Sequence, residues 1–386
     1  MSATQVQAAR KTPRPPSRPM SILVFVVLGC LQTIVAYLVF QRSDDHGYFL
    51  DIANHGLKAV SELGNDTYDL KAQAAGLVFY IVTAPSRWLG GGELTHMLWL
   101  RLLTLGGFVC AHRWVCRVVA PGQGRQLARQ SQTAFLVLCL LYPAQLAWTA
   151  SLLRDGVSCA GLFAALLAFS RRNWLTAAIC TALTIALRPE FLLVLAILAV
   201  AIPLSRTIGA VRNRLLLLGL VVVGVSVATF VPRAASSDFA IFAFGDEGVA
   251  FPSISSVVDI HGYLLVLLQS MLDPISIGSL SGGIFPLAEV AFFTWLTVAA
   301  LRRLNGATPA IAALLMADLT AIWIFGYFEV FVSGFSRHRL GLVIILIALI
   351  AVLRSQQAAR RRQLKSPPPR ADAPRAIPFP SPPGRT

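Results

Sequence analysis

The sequence predicts an all-α, polytopic transmembrane bundle of about ten spans, and three observations lead there. Of 386 residues, 56% are hydrophobic and only 13% charged, too little polar surface to keep a soluble domain in solution. Apolar runs alternate with short polar gaps along most of the chain. The charges then sort by side. With the N-terminus cytoplasmic, 23 of the 33 Lys/Arg fall in cytoplasmic segments, whereas Asp372 is alone among the 18 acids in doing so. That is the positive-inside bias, and it orients the bundle with both termini cytoplasmic. Topology thereby accounts for the net charge of +15, and the chain is not read as binding nucleic acid.

Residues 1–19 are Pro- and Arg-rich and read as a disordered basic cytoplasmic tail. The transmembrane domain covers residues 20–353. Its first span, Met20–Phe40, follows Arg10, Lys11, Arg14 and Arg18 and is long enough to remain as an anchor. Residues 41–93 form the first extracytoplasmic loop. Within it, Tyr48–Leu63 carries helical apolar spacing (Phe49, Ile52, Ala53, Leu57, Val60) suited to a membrane surface. Ala74–Leu89 is apolar but short and is broken by Pro85, Arg87 and Gly90–Gly92. It reads as a re-entrant or surface helix, because counting it as a span would put Arg113, Arg117, Arg125 and Arg129 outside.

Leu94–Ala120 then runs inward, Thr133–Leu153 outward and Gly156–Ser170 inward to Arg171–Arg172. Leu175–Leu187 and Phe191–Leu204 flank Arg188-Pro189-Glu190. Each half is roughly 20 Å long, so the pair reads as a hairpin whose turn is sunk below the outer surface. Pro189 suits the first turn of the second helix. Leu215–Val231 runs outward, residues 232–257 form a second external loop, and His261–Leu272 reads as a surface helix broken at Asp273-Pro274. Leu280–Leu301, Pro309–Phe328 and Leu340–Leu353 complete the spans. Residues 354–386 read as a disordered, basic, Pro-rich cytoplasmic tail. The six cysteines all lie in apolar runs without metal-ligand spacing and read as packing residues. Arg outnumbers Lys by 29 to 4, which hints at a high-GC bacterial genome.

This topology gathers the candidate functional residues at one face. Asp44-Asp45-His46-Gly47-Tyr48 directly follows the first span, where adjacent carboxylates could act as a general base, hold a divalent cation or orient a sugar hydroxyl. Acids also collect on that side by topology alone. Arg154-Asp155 stands at the outer start of a span, where Asp155 suits the helix dipole and Arg154 could pair with it. Arg188 and Glu190 occupy the sunken turn, and ionisable groups at such depth face a cavity or a partner. They could form a mutual ion pair or bind an anion or acceptor. Arg337-His338-Arg339 lies just outside the last span, against the positive-inside bias, and Arg forks match phosphate oxygens. Ordinary headgroup contact is the plainer alternative there. Arg101 lies two turns into its span and could snorkel outward. Asp318 and Glu289 sit within spans, and His112 reads as structural.

These segments, taken in order, resemble the GT-C membrane glycosyltransferases, and within them the bacterial polyprenyl-phosphate-sugar branch that includes protein mannosyltransferases and lipid A aminoarabinose transferases. The likeness covers residues 20–204, with a further match at 334–350. Asp44 through Tyr48 and Ile52-Ala53 look like the family's first-loop acidic stretch. Leu77–Leu89 and Leu100-Arg101-Leu102 look like its juxtamembrane helix and next span. Pro143 through Arg154-Asp155, Leu187-Arg188-Pro189-Glu190 and Arg337-His338-Arg339-Leu340 are similar to later family segments. Ala75-Gly76-Leu77-Val78 stands where the family often has His-Pro-Pro-Leu, and Gly341 where a Pro is expected. The resemblance implies a catalytic role for Asp44 or Asp45 as base, with inversion at the sugar. It also implies contacts to substrate or lipid phosphate from Tyr48, Arg101, Arg154, Asp155, Arg188, Glu190, Arg337, His338 and Arg339. The implied donor is a polyprenyl-phosphate-linked sugar, and the acceptor is a glycan, lipid or protein at the periplasmic face of a bacterial inner membrane. Two other readings remain open: an envelope polysaccharide polymerase or ligase, and a non-enzymatic transporter of lipid-linked sugars.

Overall fold

A computed structural model describes residues 21–39, 45–56, 70–120, 122–142, 154–188 and 340–365, with helical positions scattered through 191–198, 291–302 and 314. The described residues are helical throughout, without a strand. The helices are α1 (Ile22–Val39), α2 (Asp45–His55), α3 (Leu70–Trp88), α4 (Glu93–Val119), α5 (Gly124–Leu140), α6 (Arg154–Ser170), α7 (Trp174–Leu187) and α8 (Leu340–Lys365). The predicted elements at 215–231, 232–257 and 261–272 lie outside the described residues, as does nearly all of Pro309–Phe328.

Contacts between side chains fix the helix directions. Gln32, late in α1, meets Arg101, early in α4, so these two helices run antiparallel. Gln32 Nε2 also donates to the Leu140 carbonyl at the end of α5 (2.9 Å), which aligns α5 with α1. Gly107 of α4 lies against Ala160 of α6, and Gly156 against Thr104, so α4 and α6 run parallel. Gly161 against Thr184 places α7 antiparallel to α6. This alternation matches the one read from the charges. The ends of α1, α5 and α7 and the starts of α4 and α6 therefore share one end of the bundle, which carries Glu93 and Asp155. The opposite end carries Arg117, Arg125, Arg129, Arg171 and Arg172. Helix α4 begins where α1 finishes, with α2 and α3 inserted between them, as expected if α3 is not counted as a span.

Helices α4 and α6 approach closely along a seam of small residues. A β-carbon at Gly107 would collide with the Ala160 backbone, and one at Gly156 with the Thr104 hydroxyl. Small residues that let backbones touch are the usual way helices associate where no hydrophobic drive exists between them. Helix α8 sits deepest: Leu340 through Leu353 are buried on every side, as expected of a helix apolar all round. Its start packs through Gly341 on Cys159 and Phe163 of α6. Its far end meets α5, where Ser355 Oγ donates to the Gln130 carbonyl (3.2 Å).

Four boundaries differ from the sequence reading. Helix α5 starts at Gly124 and ends at Leu140, not at Leu153, because Pro143 restrains the residues before it from continuing a helix. Helix α3 runs through Pro85 to Trp88, and stops where Gly90 and Gly91 take φ of 115° and 64°. The Gly91 amide then closes the end on the Ser86 carbonyl (3.1 Å). Helix α2 stops at His55 before Gly56, at φ 68°, rather than at Leu63. Its apolar face is buried against α3 rather than laid on a lipid surface. Helix α8 continues through the basic stretch to Lys365, since Arg, Gln and Ala favour helix and no Gly or Pro intervenes before Pro367.

Helices Glu93–Val119 and Leu340–Ala358 are long and apolar enough to cross a membrane, and Ile22–Leu38 and Trp174–Leu187 are shorter apolar helices. Leu23, Val27, Leu31, Val35 and Leu38 form an exposed apolar stripe on α1, and Trp174, Leu175 and Ile179 a second one on α7.

Candidate functional site

The end of the bundle that carries Glu93 and Asp155 is closed by α2, and a set of polar contacts holds α2 in place. His46 Nε2 lies 3.0 Å from Glu93 Oε1 at the start of α4. The buried His96 ring bridges two helices, with Nδ1 2.6 Å from Ser86 Oγ of α3 and Nε2 3.0 Å from Asn54 Oδ1 of α2. Arg87 Nη1 donates to the Ala53 carbonyl at the end of α2 (2.9 Å) and to the Tyr80 carbonyl (3.0 Å). Its guanidinium lies over the Tyr80 ring, 3.7 Å from the centroid, a stacking that adds cation–π attraction. Beneath these contacts Phe49, Ile52 and Ala53 pack with Phe79, Met97, Leu100, Val157 and Leu187. Helix α2 thus rests on α3 and meets the starts of α4 and α6 through side chains.

Docking α2 there brings several of the predicted residues to one place. The Arg154 guanidinium, at the start of α6, lies 5.9 Å from the centre of the Phe49 ring. One residue on, Asp155 Oδ1 lies 2.6 Å from Arg188 Nη2, and both side chains are more than nine-tenths buried. This pair ties the start of α6 to the end of α7. Glu190, the other acid that could pair with Arg188, lies outside the described residues. The ion pair that forms joins Asp155 to Arg188, because the α6–α7 hairpin returns Arg188 to the height of Asp155. Tyr48 is half-buried and meets the Phe49 ring edge-on (5.2 Å). Asp45 is the first residue of α2.

Arg101 departs from expectation. It does not snorkel but is 3% exposed, donating through Nε to the Gly29 carbonyl (3.3 Å) and through Nη2 to Gln32 Oε1 (3.2 Å). It joins α1 to α4, about two turns below the α2 cap. His112 is a packing residue, as read: its ring stacks on Phe135 (4.5 Å between centroids) and Nε2 meets Ser131 Oγ (2.8 Å).

Asp44, Glu190, Arg337, His338 and Arg339 lie outside the described residues. Two chain connections nevertheless bear on them. Asp44 immediately precedes α2. Arg339 immediately precedes Leu340, and Gly341 packs on Cys159, one turn along α6 from Asp155. Among the described residues, no group of three or more His, Cys, Asp or Glu side chains converges as a metal site would need.

Sequence reading assigned no site role to Glu93, Asn54, Ser86, Arg87 or His96. Their signal was present: each is a polar residue beside apolar helical faces, and such residues need partners when buried. No protein-family model, curated protein or solved structure matches the chain.

Proposed function

We propose that this chain is an inner-membrane glycosyltransferase of the GT-C type, a multi-pass bundle with both termini cytoplasmic, which transfers a sugar from a polyprenyl-phosphate donor to an acceptor on the periplasmic face. The exposed apolar stripes on α1 and α7 support the embedding in lipid, since patches of this kind mark surfaces that meet a partner or a bilayer. The clustering of Arg117, Arg125, Arg129, Arg171 and Arg172 at one bundle end, with Glu93 and Asp155 at the other, supports the orientation. The observation that carries the reading is the docking of α2 on α3 at the end of the bundle where α4 and α6 start. It brings the start of the first-loop acidic motif and the Arg154-Asp155 and Arg188 motifs to a single end.

In the proposed reaction the acceptor hydroxyl or amine gives its proton to Asp44, or to Asp45. Its lone pair attacks the anomeric carbon from the face opposite the phosphate. The carbon–oxygen bond to phosphate breaks with inversion, and the electron pair leaves on the polyprenyl phosphate. Arg337 and Arg339 hold that phosphate, with Arg154 and Tyr48 on the α2 side. Asp155 and Arg188 already satisfy each other, so their part is to lock α6 against α7 and keep Arg154 facing α2.

In a transfer assay with membrane vesicles and polyprenyl-phosphate sugar, Asp44→Ala combined with Asp45→Ala should lower the rate by about 10²–10⁴-fold, the usual contribution of a positioned base. Full activity in that double variant would remove both carboxylates from the mechanism. Growth of polymer on a diphosphate-linked oligosaccharide would favour the polymerase or ligase, and flux without covalent transfer the transporter.

A further inference from the structure

A second site lies at the opposite end of the bundle. The described helical residues Ala291, Trp295, Val298 and Ala299 and the Arg354–Gln357 turn of α8 line a half-open groove of about 680 Å³, within the usual size of small-molecule sites (roughly 300–1,000 Å³). Trp295, Val298 and Ala299 form an apolar wall, while Arg302, Arg354 and Gln357 stand at the polar end. The Arg302 amide donates to the Val298 carbonyl (3.0 Å), which sets Arg302 one turn after Val298. Trp295 and Val298 remain about two-fifths exposed, with their neighbours Leu296, Ala299 and Ala300 buried. Across the groove the Arg354 guanidinium lies 5.1 Å from the centre of the Trp295 ring. Its planar fork is thereby braced on the Trp295 ring, on the wall α8 supplies.

The lining dictates the occupant. Two guanidiniums and an amide, with no acid among the described lining residues, select a phosphate oxygen pair. The apolar wall leads from that end toward the middle of the bundle and faces outward, which suits hydrocarbon attached to the phosphate. Indole rings settle at the boundary between headgroups and acyl chains. Basic pockets between helices on the cytoplasmic side are a recognised way to hold anionic lipid headgroups. We propose that this groove binds the phosphate headgroup of an anionic glycerophospholipid in the cytoplasmic leaflet, with its acyl chains running past Val298 and Trp295. The proposal rests on the membrane part of the preceding reading and not on the transferase activity.

The test uses the full chain reconstituted in vesicles of phosphatidylcholine with one-fifth phosphatidylglycerol, then extracted in mild detergent for native mass spectrometry. Wild type should retain phosphatidylglycerol over phosphatidylcholine, and Arg302→Gln combined with Arg354→Gln should reduce that preference about tenfold. Trp295→Phe keeps the apolar wall and should reduce it less. Excess inorganic phosphate should leave the lipid bound, because it lacks the acyl chains. Equal retention of the two lipids by wild type, or unchanged preference in the double variant, overturns the proposal. So does displacement by inorganic phosphate, which would identify a free-anion site. Release of the protein from membranes by an alkaline carbonate wash would overturn the membrane reading as well. A failure confined to lipid preference would overturn the groove alone.

Discussion

Replacing Arg188 with alanine should destabilise the protein by about 3–5 kcal/mol, the usual result of removing one partner from a buried ion pair. Asp155 and Arg188 are each more than nine-tenths buried and lie 2.6 Å apart. Losing the guanidinium leaves a carboxylate in a poorly polarisable setting, where its desolvation is no longer offset. The cost comes from the stranded charge more than from the bond itself. A drop in the melting midpoint of roughly 5 °C in mild detergent is expected. Removing both charges together, as Asp155→Leu with Arg188→Met, should recover most of that loss, since matched apolar replacements of such pairs are often neutral. A single variant that melts with wild type would show that the pair does not hold α6 to α7. Transfer activity gives a separate reading: if the pair only locks the two helices, the double variant should retain most of it.

The second large effect is expected from two adjacent glycines. Gly107→Ala should disrupt the bundle, because its β-carbon would meet the Ala160 backbone of α6. That neighbour is backbone and cannot swing aside, so α4 and α6 must separate along the Gly107–Ala160 and Thr104–Gly156 seam. Overpacking of this kind costs about 1–3 kcal/mol, and more where backbone has to move. Gly106→Ala, one residue earlier, meets nothing within 4 Å. It should stabilise α4 by up to about 1 kcal/mol through helix propensity. Opposite signs at neighbouring positions, read as the fraction of protein that stays monodisperse on heating, would establish the seam. Equal behaviour of the two variants would deny it.

The helices most legible in the sequence were those whose ends carry local punctuation. Arg171-Arg172 and Asn173 separate α6 from α7, and the Asn173 side chain caps α7 by accepting from the Thr176 amide (3.3 Å). Glu93 and the glycines before it mark the start of α4. Helix α5 was read too late and too long because hydropathy follows only Thr133 onward. Its first turns, Gly124–Gln132, are amphipathic and basic, and the apolar run continues past the point where Pro143 ends the helix. The gathering of Asp45, Arg154, Asp155 and Arg188 at one end of the bundle was legible, because the topology read from the charges puts them at one face. Their pairing was not. Sequence neighbours suggested Arg154 with Asp155, whereas the partner of Asp155 is set by how a hairpin of two helices closes. The contacts that dock α2 were also hidden, since Asn54, Ser86 and His96 stand on three different helices and acquire meaning only when those helices meet.

The most direct measurement is mass spectrometry of lipids that co-purify with the full chain in mild detergent, with wild type beside Arg337→Ala and Arg154→Ala. A polyprenyl monophosphate or its sugar ester, retained by wild type and lost from Arg337→Ala, is the predicted result. Bulk phospholipid alone, unchanged by either substitution, would contradict the transferase reading, and a diphosphate-linked oligosaccharide would replace it with the polymerase.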